Sequence, residues 1–199
     1  MTWISNNTYL STANQENNAR IIYQFLSAQG WTINAVSGML GNMEVESTIN
    51  PGIWQNLDEG NTSLGFGLVQ WTPSTKVINW IRSTYGENAD ITNGTYQLRR
   101  LLWEVENPGP SGADQWYPVP GEGFDLSFED FSQSLNTPEW LAEAFLRCYE
   151  SPNITPEKVQ QRGELARKWY NYLLNVEPGT LGIPVWLLFK FPWKGWKKT

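Results

Sequence analysis

Apolar side chains in this chain recur at helical spacing and almost never alternate, and that restricts the fold more than any other feature. Val36, Met39, Leu40 and Met43 fall at i, i+3, i+4 and i+7 between Thr32, which is suited to cap a helix, and Asn50-Pro51, where a helix must stop. Ala19, Ile22, Phe25 and Leu26 mark an earlier helix over residues 13–29, with Gly30 as its stop. Past Pro73, the residues Val77, Ile78, Trp80 and Ile81 predict a third helix, and Leu98, Leu101 and Leu102 a fourth over 96–105. Thr137-Pro138 pairs a cap with a first-turn proline and opens a helix carrying Trp140, Leu141, Ala144, Phe145 and Tyr149. Pro156 opens the last helix, through Ala166 and Trp169 to about Leu174. No stretch alternates with period two long enough for a large sheet, and no segment repeats. The expected fold class is mainly α, with a minor β or loop element in the Gly-, Asn- and Ser-rich residues 51–72.

Glu177-Pro178-Gly179 marks an expected boundary between a body, residues 1–176, and a tail, residues 177–199. Charge divides near the same place. All twenty acids and ten of fourteen basic side chains precede residue 180, while Lys190, Lys194, Lys197 and Lys198 follow it with no acid. A body with that excess of negative charge is a poor match to a phosphate backbone, so nucleic acid is not expected as a partner. The N-terminal residues show no basic region followed by an apolar stretch, so no secretory signal is expected. The most apolar run, residues 185–189, is far shorter than the roughly 20 residues that cross a bilayer.

There is no histidine. Ser/His and Cys/His nucleophile pairs and most catalytic zinc sites need imidazole, so neither a metal nor a cofactor is expected. The lone Cys148 sits among apolar neighbours and reads as core packing. Carboxylates, hydroxyls and aromatics remain as the catalytic means.

The second helix ends in Gly41-Asn42-Met43-Glu44-Val45-Glu46-Ser47. At about 100° per residue, Glu44 and Glu46 lie some 160° apart and cannot share one site. Glu46 falls in the last turn, where the negative end of the helix dipole disfavours a charged carboxylate, as suits a general acid. A second cluster follows about twenty residues later in Gly65-Phe66-Gly67-Leu68-Val69-Gln70-Trp71-Thr72, where glycines allow close backbone approach, Gln70 offers an amide and Trp71 a stacking face. Such a pair suits a sugar, although a tight turn with core aromatics explains the same residues.

A helix ending in Glu-Ser, a Gly-Leu-x-Gln element and a later aromatic helix bearing Tyr together resemble the lysozyme-like superfamily of goose-type lysozymes and lytic transglycosylases. The longer strings are closer still to the phage tail lysozyme family, found at the tail tips of short-tailed phages of Gram-positive bacteria. They comprise Gly41-Asn42-Met43 with Glu46-Ser47, Ile49-Asn50-Pro51-Gly52, Trp54-Gln55-Asn56 and residues 65–72. Residues 145–152 and 162–170 extend the likeness to about residues 5–175.

The resemblance implies a virion protein at the tail tip that cleaves the β-1,4 bond between N-acetylmuramic acid and N-acetylglucosamine in peptidoglycan outside the host cell. Its partners would be glycan strands and other tail proteins. Glu46 falls on the family's catalytic acid, and Glu44 on a position that needs none. Gln70 and Tyr149 fall on or near cleft residues, and Ser47, Phe66, Gly67 and Trp71 stand in the same motifs as expected substrate contacts.

An inverting hydrolase also needs a base with its carboxyl group about 6.5 to 9.5 Å from the acid. Asp58 and Glu59 are the nearest candidates in sequence, with ordinary turn chemistry as the other reading of Asp-Glu-Gly-Asn. Should neither reach the cleft, Glu46 acting with the substrate acetamide implies a transglycosylase outcome. A non-catalytic tip protein and an endolysin are the competing functions.

Many relatives carry a zinc peptidase domain after the lysozyme domain. A chain of 199 residues without histidine is expected to have glycan cleavage as its sole activity. The residues 180–199 interleave ten apolar side chains, three of them Trp, with four Lys. Packing on the body or a second copy, docking on another virion component, and contact with a membrane all fit that pattern.

Overall fold

A computed structural model describes residues 2–108, 115–150 and 153–176. Its elements are α1 (Thr12–Ser27), α2 (Ile33–Ser47), α3 (Thr75–Tyr85), α4 (Gly94–Glu106), α5 (Phe128–Gln133), α6 (Pro138–Phe145), a π-helical segment (Leu146–Glu150) and α7 (Pro156–Leu173). The protein is mainly α, as its periodicity requires. Among the described residues, β structure is confined to isolated bridges: Trp54 with Phe66, Phe66 with Trp71, and Val119 with Phe124. The expected 177–199 tail and residues 109–114 lie outside the described residues.

α2 is the central helix, and its sequence explains why two others close on it. Thr32 caps it by accepting from the Ala35 N–H at 3.0 Å. A Cβ on Gly38 would sit 2.8 Å from the Leu141 Cβ of α6, and one on Gly41 would sit 2.6 Å from the Arg162 carbonyl oxygen of α7. These two glycines let α6 and α7 approach the α2 backbone where any side chain would hold them off. Asn42, fully buried between the three helices, donates from Nδ2 to the carbonyls of Gly38 and Ala142, both at 3.0 Å. The Gly41-Asn42-Met43 string is thus a helix-packing device, with Met43 in the core.

Phe145, Phe131, Phe128 and Trp116 form a buried aromatic cluster beside α2, with Trp116 stacked on Phe128 at 4.9 Å and Phe145 on Tyr149 at 4.6 Å. Each such side chain contributes on the order of 2 kcal/mol by leaving water. Two of these rings come from α5, a short helix that the apolar spacing did not predict. Its start is a capping box in which Ser127 accepts from the Asp130 N–H and Asp130 accepts from the Ser127 N–H.

Candidate active site

α2 ends in backbone that its side chains do not favour. Thr48 and Ile49 have φ of 53° and 55°, a left-handed conformation costly for β-branched residues. The turn is held by the Ile49 N–H donating to the Met43 carbonyl at 3.2 Å and by Asn18 donating to the Ile49 carbonyl at 2.9 Å. It sends the chain directly from Glu46 and Ser47 into the loop of residues 51–72.

That loop is pinned from within. Ser47 donates to the Leu68 carbonyl at 2.7 Å. Gln97 of α4 accepts from the Leu68 N–H at 2.9 Å and donates to the Pro51 carbonyl at 2.7 Å. Gly67, with φ of 82°, lies so close that a Cβ there would meet the Gln97 Oε1 at 2.6 Å. Gln70 also adopts a positive φ, 51°, and its Nε2 donates to the carbonyls of Ile53 and Gly67.

Between this loop and the helices lies a cleft of about 580 Å³. Glu46 and Val45 enter it from α2, Trp54, Gln55, Asn56 and Gln70 from the loop, and Lys76 from α3. Tyr149 and Glu150 enter from the π-helical segment, whose wider turn follows directly on α6. Tyr9 and Tyr117, both more than half exposed, present phenol rings at the rim.

Glu46 is oriented by α7. Arg162, buried, donates from Nη2 to Glu46 Oε1 at 2.7 Å and from Nε to Asn42 Oδ1 at 3.1 Å. The same Nη2 is 3.7 Å from Glu150 Oε2. Glu44, on the other flank of the helix, accepts from Lys168 at 2.7 Å and from the Trp169 indole at 2.7 Å, a structural role that keeps it out of the cleft lining.

A buried network backs the cleft. Glu104 accepts from the Tyr149 hydroxyl at 2.6 Å, the Arg100 Nε at 2.9 Å and the Trp71 indole at 3.1 Å. Burial raises the Glu104 carboxyl to about 7 against the opposing pull of Arg100 and these donors. Burial and the Glu104 charge push the Tyr149 phenol well above its ordinary value. Burial likewise pushes the Cys148 thiol up to about 11, in keeping with a core position.

Of the side chains expected in the site, Glu46, Gln70 and Tyr149 come together in the cleft lining. Ser47, Phe66 and Trp71 do not face it: all three are fully buried, and Gly67 packs against Gln97. They pack into the wall behind the cleft, as the turn-with-core-aromatics reading has it. Asp58 and Glu59 are exposed outside the cleft lining, and Asp58 accepts from Asn61 at 2.8 Å within an ordinary turn. Local spacing marks none of Glu150, Arg162, Tyr9 and Tyr117. Their relation to Glu46 spans long sequence separations, and the sequence signal for two of them is that Glu150 and Arg162 stand in the strings shared with the family.

Residues 17–173 match the phage tail lysozyme family. The chain belongs to the phage tail lysozyme family. It is also 46% identical, over 188 residues, to morphogenesis protein 1 of Bacillus phage B103; the match takes in 94% of this chain and 46% of the relative. The chain therefore spans about half the length of that relative. Within the family match lie α2 with Glu46, the pinned loop with Gln70, the π-helical segment with Tyr149 and Glu150, and Arg162 on α7.

Proposed function

We propose that this tail lysozyme domain cleaves the β-1,4 bond between N-acetylmuramic acid and N-acetylglucosamine, with Glu46 protonating the departing glycosidic oxygen. The single observation that carries the reading is that Glu46 ends the central helix inside the cleft, oriented by a buried arginine. A carboxyl fixed on a rigid helix can meet the glycosidic oxygen with little reorganisation. The Tyr9 and Tyr117 rings at the rim are suited to pack against sugar faces, and Gln70 keeps Oε1 as an acceptor because its Nε2 already serves the loop.

The domain acts in this reading as part of the phage tail, alongside other tail proteins, and opens the Gram-positive wall from outside during infection. The family and the morphogenesis protein support the setting.

One observation favours the transglycosylase outcome over hydrolysis. Asp58 and Glu59 stand outside the cleft lining, and the other carboxyl among the described lining residues, Glu150, shares the Arg162 Nη2 with Glu46, too close to leave room for a sugar and a water between them. With no base for water, the sugar's own C6 hydroxyl can close on C1 and return a proton to the Glu46 carboxylate. Mass spectrometry of purified peptidoglycan after incubation with the protein tests both points. Glycan fragments with 1,6-anhydro ends are expected; reducing N-acetylmuramic acid ends would mean hydrolysis, and an undigested polymer would overturn the cleavage reading.

A further inference from the structure

Glu150 closes the π-helical segment and lines the cleft beside Glu46. Its side chain is 8% exposed, and neither carboxyl oxygen receives a hydrogen bond. A buried carboxylate without donors is costly unless charge or a proton compensates it.

Among the described residues, the charged groups facing Glu150 are Arg162 from α7 and Glu46 from α2. The other titratable side chains of the cleft are Tyr9, Lys76, Tyr117 and Tyr149, and the Tyr149 hydroxyl is turned to Glu104. One guanidinium therefore serves two carboxyls, at 2.7 Å to Glu46 and 3.7 Å to Glu150. With both ionised, one negative charge is left over. Two carboxyls on one nitrogen are also closer than a pair that must flank a sugar and a water, roughly 6.5 to 9.5 Å apart. Burial first, and then the Glu46 charge, hold the Glu150 carboxyl well above the usual range.

We infer that Glu150 is a positioning residue that shares one proton with Glu46, Arg162 balancing the remaining charge. This rests on the reading of Glu46 as the general acid. At rest the pair holds the proton on the Glu150 side, with Arg162 against the one remaining negative charge. Transfer between the two carboxyls, which the common Arg162 nitrogen holds near each other, moves the proton to Glu46 and leaves the Glu150 carboxylate facing Arg162. As the bond from C1 to the glycosidic oxygen breaks, that oxygen takes the proton. The hydroxyl or water that closes on C1 releases one, which returns to the pair.

Two measurements on the whole chain test the inference. In protein labelled with ¹³C at the glutamate carboxyls, with resonances assigned through E46Q and E150Q, the pair should release its two protons in separate steps. One step falls in the ordinary carboxylate range and the other well above it. In E150Q, the alkaline limb of the pH–activity profile on peptidoglycan should move to lower pH by at least about one unit. Both protons leaving together in the ordinary range, or a limb that E150Q does not move, would overturn the inference. The wild-type titration reads the shared proton without turnover. If E46Q digests peptidoglycan at the wild-type rate, the reading of Glu46 fails, and the titration still decides whether the proton is shared.

Discussion

The guanidinium of Arg162 donates to Glu46 through Nη2 at 2.7 Å while its Nε is held by Asn42 at 3.1 Å. Asn42 is itself fixed to the carbonyls of Gly38 and Ala142. The orientation of Glu46 is therefore set by the packing of three helices, and the Gly41-Asn42-Met43 string is linked to the cleft through one arginine.

Arg162→Lys tests that link. A lysine keeps the charge but cannot donate in two fixed directions to Asn42 and Glu46. Glycan cleavage should fall by about 10²-fold in kcat/KM, with the far-ultraviolet circular dichroism spectrum unchanged. Wild-type kcat/KM in this variant would show that the orientation of Glu46 does not depend on the fork.

Gly41→Ala isolates the close approach of α2 and α7. Helix propensity alone favours alanine by about 1 kcal/mol. The new Cβ, however, would meet backbone atoms of Arg162 and Ala166 at 2.6 and 2.8 Å. Backbone cannot move aside as a side chain can, so urea denaturation should show a net loss of about 1–3 kcal/mol.

Glu104 gives the protein a pH dependence of defined sign. Its carboxyl is raised to about 7 in the folded protein, above an ordinary value of about 4.3. Between those values the folded state binds more protons than the unfolded one, so this group's contribution to stability is full below the lower value and is lost as pH rises through the upper. The difference in melting temperature between wild type and Glu104→Gln, wild type minus variant, should become smaller on going from pH 4.5 to 7.5. A difference that grows over that window would contradict the assignment.

Tyr149→Phe removes the hydroxyl that donates to Glu104 at 2.6 Å while keeping the ring stacked on Phe145. The loss of a buried hydrogen bond to a carboxylate should lower stability by about 1.5–3 kcal/mol, measured by urea denaturation.

Much of this fold was legible in the residues, because each long helix buries a stripe whose period shows in the sequence. The stripe of Val36, Met39, Leu40 and Met43 marks α2, and Thr137-Pro138 marks the start of α6. α5 was missed because six residues are too few for a periodic signal, although Ser127 and Asp130 carry the spacing of a capping box. Trp71 invites a sugar-stacking role, yet the pinned loop turns it and Phe66 inward, where Trp71 reaches Glu104. Asp58 and Glu59 drew notice by nearness in sequence. The groups that face Glu46 lie over a hundred residues away, on the π-helical segment and α7, and no local spacing reports such a pairing.

Glu46→Gln tests the central claim most directly. The substitution keeps the size of the side chain and an oxygen for Arg162 but removes the proton to be donated. Applied to purified Gram-positive peptidoglycan, the folded variant should release no glycan fragments detectable by mass spectrometry under conditions in which the wild type digests the polymer. Fragment release at the wild-type rate would contradict the assignment of Glu46 as the acid.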